Sequence, residues 1–416
     1  MAVSGSSTTN LSILKRLWGS DVPTPMYKAS KALAFIKKDS NFGGEGRYVV
    51  VSVAPPGGGS AHFPEAVANQ SATDERRFFV QHRNEYQVWS ITNEAIHKTR
   101  GDKNALVELV KHYLGRARYA YARASARRFW GNRGGAAGQI AAAQNLALAV
   151  MTLRNRGNVA AFEVGQWYQF ASTDGTGTAA AYPTDLRGGG SKLQVIAIDR
   201  IAGTVTFNAA LNTIPAITAN DFVFRAGDYA QAKTGAQGWG PTAAPTGGEN
   251  FFGLDRTTTD VQRVSGARFN GAGQGKIETL IDSCAEGQTV GVGGERASMF
   301  KAFLHPLDFR DVQKDRESVR EVDAMSVESK IGFKALEVQT PLGAITIFSE
   351  TDVNQGNFWI FDTDEIYSRN AGDDPMDLVG GNGLLIYQDQ DSRQGRLGSY
   401  GNYFWENPGN QIIGTF

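Results

Sequence analysis

Residues 103–130 carry the apolar spacing of one long helix, in a chain whose other segments read as strands and glycine-rich loops. Leu106, Val110, Tyr113, Ala117, Ala120 and Ala124 recur at i, i+3/i+4 and so share a face. Asp102 stands where an N-cap belongs, and Gly131 and Asn132, followed by Gly134 and Gly135, supply the stop. At 1.5 Å rise per residue such a helix is roughly 40 Å long. Arg116, Arg123 and Arg127 stand at i, i+7 and i+11, which gathers them in one stripe about 40° wide. A single long helix, preceded by strand patterns and followed by a mixed remainder, suggests a chain that touches copies of itself.

Upstream lie two β-branched runs, 47–53 and 77–92, the latter with Phe78, Val80, Tyr86, Val88 and Ile91. Between them sit Pro55, Pro56, three glycines and a polar stretch, which predicts a hairpin with a long tip. A lone two-stranded hairpin is marginal in water, so it needs a partner surface. Tyr48, Val50, Phe78, Val80, Tyr86 and Val88 are the expected contact residues. Residues 1–40 read as an arm with a short amphipathic piece at 26–38, and terminal arms stay ordered only when docked.

Downstream, 146–229 breaks into short strand patterns at 165–172, 191–199, 203–208 and 221–225, with a turn at Asp199–Gly203. They predict a small separate β-barrel or sandwich between loop-like flanks at 134–143 and 230–248. The remainder mixes a helix around Cys284, read as a buried small hydrophobe, with a strand at 299–304. His305 caps a helix whose first position is Pro306. A hairpin turns at Thr340-Pro-Leu-Gly343, and strands follow at 358–361, 384–387 and 400–405. The fold class is α+β.

At 416 residues the chain has room for two or three structural units. Its zero net charge hides an asymmetry. Residues 1–133 hold 20 Lys/Arg against 10 Asp/Glu, net +10, whereas 301–416 hold 10 against 19, net −9. Opposite halves favour head-to-tail contact between copies. The polar N-terminus lacks a signal-peptide pattern and no run approaches a membrane span, which predicts a cytoplasmic protein. The five histidines have no metal spacing, and one cysteine makes a zinc site improbable. Neither a phosphate loop nor a nucleophile elbow is present. Asp389 and Asp391 begin like a calcium loop, but Arg393 breaks the ligand pattern. Asp362, Asp364 and Glu365 read as solvated acids. The chain is therefore expected to be no enzyme, with no cofactor and no metal. The arginine stripe suits non-specific phosphate contact or pairing with a neighbour's acids, and the sequence leaves both open.

In this order the elements resemble the major capsid protein of tailed double-stranded DNA bacteriophages, the Johnson or Hong Kong 97-like fold. The resemblance covers most of the chain outside 145–230. Its pieces are an N-terminal arm (1–40), an extended loop (41–98), a spine helix (99–144) and the rest of a peripheral domain with an axial domain (231–416). Phe300-Lys-Ala-Phe-Leu-His-Pro306, Thr340-Pro-Leu-Gly343 and Asn402-Tyr-Phe-Trp-Glu-Asn-Pro408 are similar to phrases of that family. Residues 145–230 depart from the minimal fold as an inserted β-barrel domain. The resemblance implies hexamers and pentamers of the chain itself, tiling an icosahedral shell around packaged DNA. Portal and scaffold proteins, a decoration protein and non-specific DNA contact are its implied partners. The implied location is the virion capsid, assembled in the host cytoplasm. The alternative is a β-rich carbohydrate-binding or adhesin protein using 146–229, with Trp167 and Tyr168 as the sugar platform.

Overall fold

The computed structural model describes residues 30–98, 103–177, 180–258, 260–292, 300–318, 326–328, 334–377, 385–386 and 391–416. Residues 1–29 of the expected arm, Asp102 and Asp389 lie outside them. The arm enters through helix α1 (Lys31–Phe35), N-capped by Ser30, and strand β1 (Lys37–Asp39). Strands β2 (Gly46–Ala54) and β3 (Asp74–Gln81) form an antiparallel pair whose tip carries α2 (Phe63–Ala68). Strand β4 (Arg83–Thr92) and α3 (Asn93–Lys98) follow. The run 77–92 is thus two strands, not one. It breaks at His82, whose ring stacks on Phe42 at 3.7 Å, and β4 leaves the hairpin for another sheet.

Alternation decides what the hairpin buries. Val49, Val51 and Val53 point inward, and the register sets Val49 opposite Phe78 on the same face. With Val80 these residues belong to the main core. The hairpin therefore does not lack a core, as the sequence suggested.

Helix α4 (Lys103–Phe129) buries Leu114, Ala117, Tyr121, Ser125 and Phe129. That face is turned about one residue, roughly 100°, from the predicted one. Tyr113 is exposed, and Ala120 and Ala124 are half-buried; the side chains of Leu106 and Val110 lie outside the description. Two anchors set the rotation. Tyr121 Oη meets Asp374 Oδ1 at 2.5 Å and Ser399 Oγ at 2.6 Å. Phe129 stacks on Trp405, with centroids 5.7 Å apart, and packs edge-on to Tyr403. Each buried aromatic contributes about 1.5–3 kcal/mol of hydrophobic stabilisation.

Strands β5 (Ala136–Gln139), β6 (Val150–Thr152), β7 (Trp167–Ala171), β8 (Leu193–Asp199), β9 (Thr204–Phe207) and β10 (Phe222–Arg225) make a six-stranded sheet in the order β5-β10-β7-β8-β9-β6. Two expectations change here. Strand β5 lies in the stretch read as a loop flank. The sheet also does not close into a barrel: its edge strands β5 and β6 meet only beside the isolated bridge Ile140–Leu153. The insert has its own core around Met151, Phe162, Tyr168, Phe170 and Phe207. The stretch 230–248 is no simple linker. It forms α5 (Ala236–Trp239), and Trp239 is fully buried, its Nε1 donating to the Tyr403 carbonyl at 3.1 Å.

The remaining elements are α6 (Val261–Ser265), β11 (Ala267–Asn270), α7 (Lys276–Thr289), β12 (Phe300–Leu304), α8 (Pro306–Ser318), β13 (Ser326–Glu328), β14 (Lys334–Thr340), β15 (Gly343–Ser349), β16 (Asn357–Asp362), β17 (Ile366–Asn370), β18 (Met376–Asp377), β19 (Leu385–Ile386), β20 (Ser392–Trp405) and β21 (Gln411–Thr415). A seven-stranded mixed sheet runs β11-β21-β16-β12-β15-β14-β13. Ile277, Leu280 and Cys284 of α7 and Val312 of α8 pack in its second core. Leu307 N donates to His305 Nδ1 at 3.2 Å, so His305 caps α8 as the sequence predicts. The other sheet is centred on β20, which pairs with β4, β17, β18 and β19, while β1 lies parallel on β17. Among the described residues no helix is long and apolar enough to cross a membrane.

Candidate functional site

The hairpin offers an outer face. Tyr48 and Val50 are exposed by 52% and 56%, and the register places them opposite Phe79 and Arg77. Tyr48 packs on Phe79 at 4.9 Å, and the Arg77 guanidinium lies 4.9 Å from the Tyr48 ring. At the tip Phe63 and Val67 of α2 are also exposed. Tyr86 and Val88 project from the outer face of β4, likewise exposed. Of the six expected contact residues, Phe78 and Val80 are corrected. Both are fully buried, Phe78 against Trp239 and Phe251, because they share the inward face with Val49.

The arginine stripe divides. Arg116 is exposed. Arg123 Nη1 and Arg127 Nε reach Asp352 of the same chain at 3.4 and 3.6 Å, and that carboxylate is 1% exposed. Burial pushes Arg127 down to about 10 and raises Asp352, each opposed by its partner's charge. For Arg123 and Arg127 the acid partner is therefore internal, which corrects their reading as contacts to a neighbour or DNA. All three arginines line a cleft of about 550 Å³ between α4 and the insert, with Glu163, Arg225 and Asp228 on its other wall.

A second charged knot joins three elements. Arg128 of α4 pairs with Glu85 of β4 and, at 3.1 Å, with Asp228 beside the insert. Burial alone would lower the Arg128 pKa, but the two carboxylates hold it above its ordinary value. Breaking such a buried pair leaves an uncompensated charge, so the knot fixes how helix, sheet and insert meet. Another buried acid, Glu350, accepts from Ser30 Oγ at 3.1 Å, Lys31 N at 2.8 Å and Ala32 N at 3.3 Å, tying the arm to the end of β15. Sequence reasoning missed Glu85, Asp228, Glu350 and Asp352. Only Glu85 left a signal, as an acid at the inward register of an alternating strand.

Trp167 and Tyr168 do not form one platform. Adjacent strand residues face opposite ways. Tyr168 is fully buried and donates to the Ala161 carbonyl at 3.0 Å, while Trp167 is partly exposed beside Lys192. Asp362, expected as a solvated acid, is buried and accepts from Asp364 N at 2.8 Å. Among the described residues no three His, Cys, Asp or Glu side chains gather as a metal site.

No family model matches the chain, and no curated protein matches it. Solved structures do. A chain of the cyanophage A-1(L) capsid asymmetric unit matches with TM-score 0.50 at 10% identity, over 97% of this chain and 93% of that one. The capsid of an empty GTA particle matches with TM-score 0.44 at 10% identity, over 100% and 99%. The satellite phage P4 procapsid, with its size determination protein, matches with TM-score 0.37 at 9% identity, over 98% and 96%. The first of these shows a shared fold along nearly the whole length of both chains.

Proposed function

We propose that this chain is a major capsid protein, whose hexamers and pentamers tile an icosahedral shell around packaged double-stranded DNA. The observation that carries the reading is the fold shared with the cyanophage A-1(L) capsid chain across 97% of this one. In it, 1–40 is the arm lying beneath neighbours and 41–98 the extended loop. Residues 99–144 form the spine helix, 145–230 the inserted domain, and 231–416 complete the peripheral and axial domains. The outer face at Tyr48 and Val50 and the tip at Phe63 and Val67 lie across an adjoining subunit. Tyr86 and Val88 supply a further contact. Arg116 is the stripe residue left for a neighbour's acids or for DNA phosphates. Many weak contacts per subunit make the shell stable. Portal and scaffold proteins, and a decoration protein on the outside, are the proposed partners, in the virion and during assembly in the host cytoplasm. The role is structural rather than enzymatic.

Electron microscopy of the full chain, purified after co-expression with the open reading frames adjoining its own, tests this. Closed shells or capsomers are the expected result. A monodisperse monomer under every such condition overturns the reading.

A further inference from the structure

Lys233 is buried, 1% exposed, yet among the described residues no carboxylate forms an ion pair with it. Its Nζ lies 2.7 Å from Ser399 Oγ and 3.3 Å from Asn370 Oδ1, with the Tyr403 ring 5.8 Å away. A lysine amine that has given up its proton is a nucleophile, and this one is held against a side-chain amide. Asn370 is equally fixed. It is 3% exposed, and its Nδ2 donates to Asp374 Oδ2 at 3.2 Å and to Ser368 Oγ at 3.1 Å. Gly401 makes room for this amide: a Cβ there would stand 2.1 Å from Asn370 Oδ1.

The two side chains are also joined by a second path. Ser399 Oγ, which accepts from Lys233, lies 2.6 Å from Tyr121 Oη, and Tyr121 Oη lies 2.5 Å from Asp374 Oδ1. Asp374 in turn holds the amide nitrogen of Asn370. Amine, hydroxyl, phenol, carboxyl and amide therefore form a ring of hydrogen bonds that runs from a nucleophile to a leaving group.

We propose that this cluster forms an amide bond within the chain, between Lys233 Nζ and Asn370 Cγ. The neutral amine adds to Cγ, the carbon bearing the nearby Oδ1. One proton passes from Nζ through Ser399 Oγ and Tyr121 Oη to the Asp374 carboxylate, which delivers it to Nδ2. The Cγ–Nδ2 bond breaks and ammonia leaves. One C–N bond replaces another, nothing is oxidised or reduced, and no co-reactant is needed. Asp374 touches the reacting amide and is the catalytic residue. Tyr121 and Ser399 are positioning residues that carry the proton. The bond closes a 137-residue loop, from beyond the insert to β17. This proposal does not depend on the capsid reading.

The test is the denatured intact mass of the full chain. The wild type should be lighter than its sequence by one ammonia. A tryptic digest should show no cleavage after Lys233 and a branched product joining 226–256 to 370–393. Lys233→Arg and Asn370→Ala should each have the full sequence mass. Tyr121→Phe keeps the ring in place and should lose ammonia more slowly in a time course after synthesis. A wild-type chain at full mass, with linear peptides 226–233 and 370–393, overturns the proposal. So does an ammonia loss that persists in Lys233→Arg.

Discussion

Glu350 gives the sharpest test of how the arm is held. Its carboxylate is 3% exposed, and one oxygen takes all three hydrogen bonds from Ser30, Lys31 and Ala32. Burial is the dominant influence and pushes its pKa from 4.5 up to about 7, the nearby Asp352 adds to the rise, and the three hydrogen bonds oppose it. The folded state thus binds a proton that the unfolded chain has released. Stability from this group is fully present below about 4.5 and is lost as pH rises through about 7. The rise corresponds to about 3 kcal/mol. Glu350→Gln removes the charge but keeps an oxygen that accepts from Lys31 N and Ala32 N. The variant should be more stable than the wild type at pH 8.5, by an amount on the order of 2–3 kcal/mol, since neutral hydrogen bonds recover less than charged ones. Near pH 4.5 the two should nearly coincide. Urea unfolding of the dissociated subunit, followed by tryptophan fluorescence at both pH values, measures the difference. If Glu350→Gln is destabilised equally at both, the carboxylate acts as a charged cap and the desolvation argument is wrong.

Further outcomes follow from the same geometry. Asp352→Ala should cost about 3–5 kcal/mol, because it strands two partly buried arginines, whereas Arg116→Gln should leave the melting temperature unchanged; a silent Asp352→Ala would show that the pairs do not hold α4. Tyr48→Asp with Val50→Asp should keep the subunit's melting temperature but abolish shells, and normal shells would remove the hairpin's outer face from assembly. Residues 134–230 expressed alone should melt cooperatively with a β-type circular dichroism spectrum; a disordered fragment would mean the insert's core depends on the rest. There is no lysine between Asp39 and Lys98 to crosslink the extended loop, so boiled particles should run as monomer near the chain's 44.9 kDa rather than as a ladder. A bond between Lys233 and Asn370 is internal and does not alter that result.

Local rules carried the sequence a long way. The long helix, the strands of the insert, the hairpin turn at Thr340–Gly343, the cap at His305 and buried Cys284 all follow from periodicity, turn chemistry and small-residue burial. These forces act within a few residues, so the chain states them openly. The order of elements likewise pointed to a capsid-like architecture. Pairing across long separations was not legible. Nothing local says that β4 leaves β3 to pair with β20, some 300 residues on, or that Trp239 and Phe251 cover the face Phe78 shares with Val49. The helix face was read one residue off because apolar spacing alone ranks Tyr113 beside Tyr121. Only Asp374 and Ser399, arriving from the far end of the chain, select the second. The same holds for the charges. As a stripe, Arg116, Arg123 and Arg127 look equivalent, and the sequence determined only that they share a face. The tertiary structure brought one buried aspartate, Asp352, against two of them and left Arg116 in solvent, because a carboxylate taken out of water must find its counter-ion wherever the fold places one.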